Sequence, residues 1–210
     1  MSIKTIIFDC GRVITQDQNP EIAGKMAAII GAGPGEFAHA YAAGRAEYDR
    51  GTMSAVDYWN RVAGRFGRQI GPDHHALLVQ LDMDSWFTIN GETIALIRAL
   101  KTRGYRLLIL SNMNVEGKER MYGQARILDG EDWVALFDDV LLSCDLRQLK
   151  PKPEIYRSCL ERAAAQPGEC LFIDDIPANV EAARASGMHS IHFTGAKELA
   201  FILAEKYKAL

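Results

Sequence analysis

The chain has 210 residues, 48% hydrophobic and 24% charged, with a formal net charge of −3. That size fits one core domain carrying an insert. The charge supplies no basic field for nucleic acid, and no apolar run approaches the roughly 20 residues that span a bilayer. Cys10, Cys144, Cys159 and Cys170 form no CxxC pair and lie in or beside apolar segments. They read as buried, reduced thiols of a cytoplasmic protein. The segment holding Lys4 is strand-like, with none of the features of a signal peptide.

Taken in order, the chain opens on IKTIIFDCGRVIT, residues 3–15. The run Ile6-Ile7-Phe8 delivers Asp9 and stops at Cys10-Gly11, a carboxylate at the end of a buried strand. Residues 16–88 contain no convincing strand. They show helical periodicity broken by glycine, as in EFAHAYAAGRAEYDRG and SAVDYWNRVAGRFG, with Ser54 as a cap and turns at Gly31–Gly35 and Gly71-Pro72. Strand and helix then alternate. A helix opens at Gly91-Glu92 and ends near Arg103-Gly104, and the strand YRLLIL stops at Ser111-Asn112. After a stretch with no clear period come a strand at 140–142, a helix at 153–165 and a strand at 170–173 ending in Asp174-Asp175. A helix at 178–186, a strand at 189–193 and a helix at 197–208 complete the series.

Repeated β-α units with near-continuous apolar strands imply a parallel sheet covered on both faces, hence a doubly wound α/β fold. Residues 1–15 and 89–210 form its core, and 16–88 a helical insert. Open sheets of this kind bind ligands at the carboxyl ends of their strands. Asp9, Ser111-Asn112 and Asp174-Asp175 all end strands and are expected at one edge. Three clustered carboxylates raise one another's pKa unless a cation intervenes, and an all-oxygen ligand set suits Mg²⁺. Lys150, in LKPKPEIY, follows the third strand and points to the same edge. A cation, a lysine, a hydroxyl and backbone N–H groups describe a phosphate site, and a free carboxylate beside it is a nucleophile. His39, His74, His75, His189 and His192 have no zinc-ligand spacing.

FDCGRVI, LSNMN, LKPKPEIY and IDDIPANVEAARASGM together resemble the four motifs of the haloacid dehalogenase superfamily. Within it, FD-x-G-x-V-I, LSN and the turn DRGTMS resemble an α-D-glucose-1-phosphate phosphatase subgroup. The resemblance implies a Rossmann-like core with strand order 3-2-1-4-5 and a small C1-type cap at 16–88. It implies that Asp9 attacks phosphorus to give an aspartyl-phosphate, that Ser111 with the Asn112 region holds the phosphoryl oxygens, and that Lys150 neutralises charge. It assigns Mg²⁺ to Asp9, the Gly11 carbonyl, Asp175 directly and Asp174 mainly through water, with Asn179 orienting water or the loop.

One departure stands out. Most phosphatases of the superfamily carry an acid–base aspartate two residues after the nucleophile; here Gly11 occupies that position. Losing such a proton donor is worth about 10²–10⁴-fold. Either the substrate has an acidic leaving group, such as an anomeric sugar hydroxyl, or water moves the proton slowly. The expected activity is a Mg²⁺-dependent phosphatase acting on a small phosphorylated metabolite, a sugar phosphate among the candidates, in a monomer or homodimer with no nucleic-acid or membrane partner. The alternatives are a degenerate member that binds a phospho-ligand or partner without turnover, and a 2-haloacid dehalogenase. The paired aspartates Asp174-Asp175 argue against the dehalogenase.

Overall fold

The structure, a computed structural model, describes residues 2–210. Five strands build the main sheet: β1 (Thr5–Phe8), β2 (Arg106–Ser111), β5 (Asp139–Leu142), β6 (Cys170–Asp174) and β7 (His189–His192). Their order is β5-β2-β1-β6-β7, with all neighbouring pairs parallel. Counting these five strands along the chain, that is the expected 3-2-1-4-5. Alternate residues face opposite layers. Ile6, Phe8, Leu107, Ile109, Leu171 and Ile173 pack with Ile94, Ile97, Leu100, Leu199 and Leu203, from helices α6 (Gly91–Thr102) and α11 (Ala196–Glu205). Ile7, Leu108, Leu110 and Phe172 pack with Ile155, Tyr156, Cys159 and Ala183, from α9 (Pro153–Ala163) and α10 (Pro177–Ala185). A sheet apolar on both faces is thereby covered on both.

Between β1 and α6 lie five helices: α1 (Pro20–Ile30), α2 (Pro34–Ala42), α3 (Arg45–Asp49), α4 (Ala55–Gly64) and α5 (Pro72–Trp86). Local signals set their ends. Asn19 caps α1 through the N–H groups of Glu21 and Ile22, and Gly31 closes it in the left-handed region. Ser54 caps α4 through the Asp57 N–H. The segment EFAHAYAAGRAEYDRG divides into α2 and α3 because Gly44 adopts φ 88°. These helices share a separate core around Met26, Ile30, Tyr48, Tyr58, Trp59 and Leu78. The two connections to the sheet run side by side, with Gln16 N–H donating to the Thr88 carbonyl and Asn90 N–H to that of Ile14.

The stretch between β2 and β5 contains two features that periodicity did not reveal. Helix α7 (Val115–Tyr122) starts at Asn114, whose side chain accepts from the Gly117 N–H. Its sequence, VEGKERMY, buries only Gly117 and Met121, so it carries no apolar stripe to read. The two-residue strands β3 (Ile127–Leu128) and β4 (Glu131–Asp132) then form a short hairpin. A one-turn helix, α8 (Ser143–Leu146), follows β5. All four cysteines are buried and free.

Asp138 stitches β2 to the start of β5. Its N–H donates to the Leu107 carbonyl, while its carboxylate accepts from the Leu107 N–H and from Lys101. Burial alone would raise this carboxyl, but the Lys101 ammonium and the Leu107 N–H outweigh it and hold the group below the usual range. Its stabilisation is therefore present above the unfolded-state pKa and lost as pH falls through the lower folded-state value. Asp138→Ala is expected to cost about 1 kcal/mol at neutral pH, read from urea midpoints. The gap from wild type should close below the ordinary carboxylate range.

Candidate active site

Two strand ends and one loop supply the charged groups. Asp9 follows β1, and its N–H donates to the Ile173 carbonyl at 2.9 Å, which fixes it at the sheet's carboxyl edge. Asp174 ends β6 and Asp175 follows it. One carboxylate oxygen from each of Asp9, Asp174 and Asp175 lies within 4.8 Å of the others. The Lys150 ammonium sits between two of them, 2.8 Å from Asp9 Oδ1 and 2.6 Å from Asp174 Oδ2. Its side chain is 1% exposed.

Partners divide the three carboxylates by role. Asp174 is saturated: Oδ1 accepts from the Ile176 N–H and Asn179 Nδ2, and Oδ2 from Lys150 and Asn179. Asp9 accepts from the Cys10 N–H and Lys150 on Oδ1 alone, leaving Oδ2 with no hydrogen bond among the described residues. Burial pushes the Asp9 carboxyl up to about 6 against the pull of Lys150. Burial and Asp174 raise the Asp175 carboxyl. For Lys150, burial favours the neutral amine, but Asp9 and Asp174 outweigh it and keep the ammonium. Arg12 pairs with Asp175 at 2.8 Å and with exposed Asp17 at 2.6 Å.

The donor set fits a hard divalent cation. It is all oxygen, it is partly buried, and its two lysine-paired carboxylates with one ammonium leave a net negative centre. The Gly11 carbonyl accepts no hydrogen bond among the described residues. Ser111 ends β2, buried, and its hydroxyl is likewise without a hydrogen bond among the described residues. The Asn112 side chain pairs with the Lys150 loop. Its amide donates to the Lys150 carbonyl at 3.0 Å and accepts from the Lys150 N–H at 2.9 Å, fixing the lysine's backbone. Asn179 grips Asp174, so it orients a carboxylate.

Asp9, Ser111, Asn112 and Lys150 line a cavity of about 420 Å³, whose other wall comes from the helical insert. Tyr41, Arg45, Asp49, Met83, Trp86 and Phe87 form that wall. Arg45 reaches the cavity, whereas Tyr48 and Trp59 are buried in the helical core. Periodicity gave no sign of Asp49 and Asp82. Asp82 is fully buried and pairs with Arg45 at 2.8 Å; Asp49 pairs with Arg45 at 3.0 Å. The one trace of Asp49 in the sequence was its place in the turn DRGTMS.

The profile of the haloacid dehalogenase-like hydrolases matches residues 3–187. Acyl-CoA dehydrogenase family member 10 of Mus musculus is 30% identical over 162 residues, 72% of this chain but only 14% of that protein. The sesquiterpene phosphatase astK of Aspergillus oryzae is 27% identical over 70% of this chain and 71% of its own length. A HAD family enzyme from Bacteroides thetaiotaomicron, in complex with magnesium and inorganic phosphate, superposes with a TM-score of 0.72 at 21% identity. That alignment covers 90% of this chain and 93% of the other, a likeness of fold.

Removing the lysine should expose how strongly the site depends on it. Lys150→Ala leaves two buried carboxylates facing each other and is expected to lose about 3–5 kcal/mol in urea denaturation. Asp9→Asn, which removes one of those two charges, should be far milder.

Proposed function

The chain belongs to the haloacid dehalogenase-like hydrolases, and from that premise we propose that it is a Mg²⁺-dependent phosphatase of small phosphorylated metabolites. One observation carries the reading: Asp9 keeps a carboxylate oxygen without a protein partner, in a cluster with Asp174, Asp175 and the Lys150 ammonium. A structural ion pair has no need of a third carboxylate, and a binding module has no need of an uncommitted one. The complex of the Bacteroides enzyme with magnesium and phosphate, and the phosphatase name of the Aspergillus relative, support the same reaction class.

In this proposal Asp9 Oδ2 attacks phosphorus and the ester oxygen leaves, giving an aspartyl-phosphate that water then hydrolyses. Lys150 holds Asp9 ionised and in place, as its paired contacts with Asp9 and Asp174 suit it to do. Ser111 Oγ and backbone N–H groups after β2 receive the phosphoryl oxygens. Asp9, Asp175 and the Gly11 carbonyl would hold Mg²⁺, with Asp174 behind them. The bound ion would neutralise charge on the phosphoryl group. Residues 16–88 act as a cap that walls the cavity and excludes water during transfer. The small cavity, with Met83, Trp86 and Phe87 on its wall, admits a compact leaving group with an apolar face.

Phosphate release from a panel of phosphorylated metabolites should require Mg²⁺, stop with EDTA and vanish in Asp9→Asn. Acid-quenched wild-type enzyme should carry phosphate on Asp9. Inorganic phosphate binding without turnover of any ester would leave the non-catalytic reading in its place, and metal-independent halide release would indicate the dehalogenase.

A further inference from the structure

Gly11 leaves the proposed reaction without a proton donor beside the nucleophile, and the obstacle is not steric. A Cβ built on Gly11 meets nothing within 4 Å. Another group in the cavity must then give and take the proton. Arg12 and Arg45 stay charged. Asp9 and Asp175 belong to the nucleophile and cation site, and Lys150 is locked between two carboxylates. The Cys10 thiol is buried and pushed far up by burial and by Asp9. The Tyr41 hydroxyl donates a hydrogen bond to Asp82 at 2.5 Å, accepts from Arg45 and Trp86, and is likewise raised by burial. One titratable cavity residue is left.

We propose that Asp49, from the helical insert, is the general acid and base of the reaction, replacing the aspartate that Gly11 lacks. This rests on the phosphatase reading. Its position is built. Arg45 Nε at 3.0 Å and Asn114 Nδ2 at 3.2 Å both hold Oδ1, and no hydrogen bond among the described residues ends on Oδ2. The Asp49 carbonyl accepts from Ser143 Oγ at 2.5 Å, and the same hydroxyl accepts from the Met113 N–H at 2.8 Å. Asp49 is therefore tied at both side chain and backbone to the segment that follows Ser111. Gly51, two residues on, has φ 70° and approaches Cys144 so closely that a Cβ there would lie 3.2 Å from the Cys144 carbonyl. The turn Asp49-Arg50-Gly51 thus seats the insert on α8.

The groups facing Asp49 are Arg45 on its own helix, Tyr58 of α4, Asp82 of α5 and Asn114 before α7. Burial pushes its carboxyl up to about 6, against the pull of Arg45 and with the push of Asp82. A donor near working pH is the efficient one. In the first step Asp9 Oδ2 bonds to phosphorus while the bond to the ester oxygen breaks, and the Asp49 carboxylic acid protonates that oxygen. In the second step the Asp49 carboxylate takes a proton from water as its oxygen bonds to phosphorus. The Asp9–phosphorus bond breaks, phosphate leaves, and the acid is restored.

The test compares p-nitrophenyl phosphate with phenyl phosphate, whose leaving groups differ in acidity but little in shape, on the Mg²⁺-loaded full chain. Asp49→Asn should lower kcat/KM for phenyl phosphate by about 10²–10⁴-fold and for p-nitrophenyl phosphate much less. Asp49→Glu should recover part of the loss. Adding Gly11→Asp to Asp49→Asn should rescue the phenyl ester preferentially. Wild-type kcat/KM on phenyl phosphate should fall as pH rises through about 6, because the acid form is needed, and this limb should vanish in Asp49→Asn. Equal losses on both esters with the limb intact would show that Asp49 only holds Arg45 and Asn114, overturning the proposal while the phosphatase reading stands. If wild type hydrolyses neither ester, both fall. If Asp49→Asn does not fold, the wild-type limb is compared with the Asp49 carboxyl titration by carbon-13 NMR, and a mismatch overturns the role.

Discussion

The Lys150 ammonium, buried between Asp9 and Asp174, is the interaction on which the rest of the site depends. Three carboxylates at the ends of adjacent strands repel one another, and burial removes the water that would screen them. A single cation on a separate loop holds two of them at hydrogen-bonding distance. That loop is itself held by Asn112, whose amide pairs with both the N–H and the carbonyl of Lys150. The lysine thus joins three pieces of chain, from β1, β2 and β6, into one constellation. Its charge does not balance the cluster, and in the proposed function a divalent ion, with a phosphoryl group bound against it, would make up the deficit.

Much of this was legible in the sequence because parallel sheets impose a simple rule. Strand ends that carry polar residues must meet at one edge whatever their separation along the chain. The run Ile6–Phe8 before Asp9 and the run Leu171–Ile173 before Asp174 announced themselves as buried strands, and their register places them side by side. The helical insert was equally visible, since glycines and prolines mark its turns. What the sequence concealed was contact across layers. Helix α7 has no apolar stripe, so its periodicity is silent, although its cap Asn114 reaches Asp49. Asn112 reads as a phosphate ligand from its position, and only the fold shows its side chain pairing with the Lys150 backbone. Asp82 looks like one charge among many on α5, and only the fold shows it buried under Arg45 and Tyr41.

The insert has a polar core of its own. Arg45 lies over the rings of Tyr41, Tyr48 and Tyr58, at 5.0, 5.3 and 5.8 Å from their centres, and pairs with Asp82 and Asp49. A buried arginine with two carboxylates is costly to assemble and gives little net stability relative to apolar packing. Its value lies in geometry. The planar guanidinium fixes Asp82 through one nitrogen and Asp49 through another, so Asp49 Oδ1 is held by a rigid fork instead of a flexible stem.

Dividing the chemistry between two layers has a consequence for control. The proposed nucleophile, lysine and cation ligands belong to the sheet domain, while the proposed proton donor belongs to the insert. A donor two residues from the nucleophile would be in place whether or not the insert was seated. A donor on α3 is in place only when the Asp49-Arg50-Gly51 turn rests on α8 and Asn114 holds the carboxylate. If Asp49 is the donor, proton transfer would wait for the same docking that closes the cavity to water, and an undocked insert would slow ester cleavage. On this view the glycine beside Asp9 is part of the device: it removes the acid that would act without closure, and leaves the cavity room for the leaving group that the insert must cover.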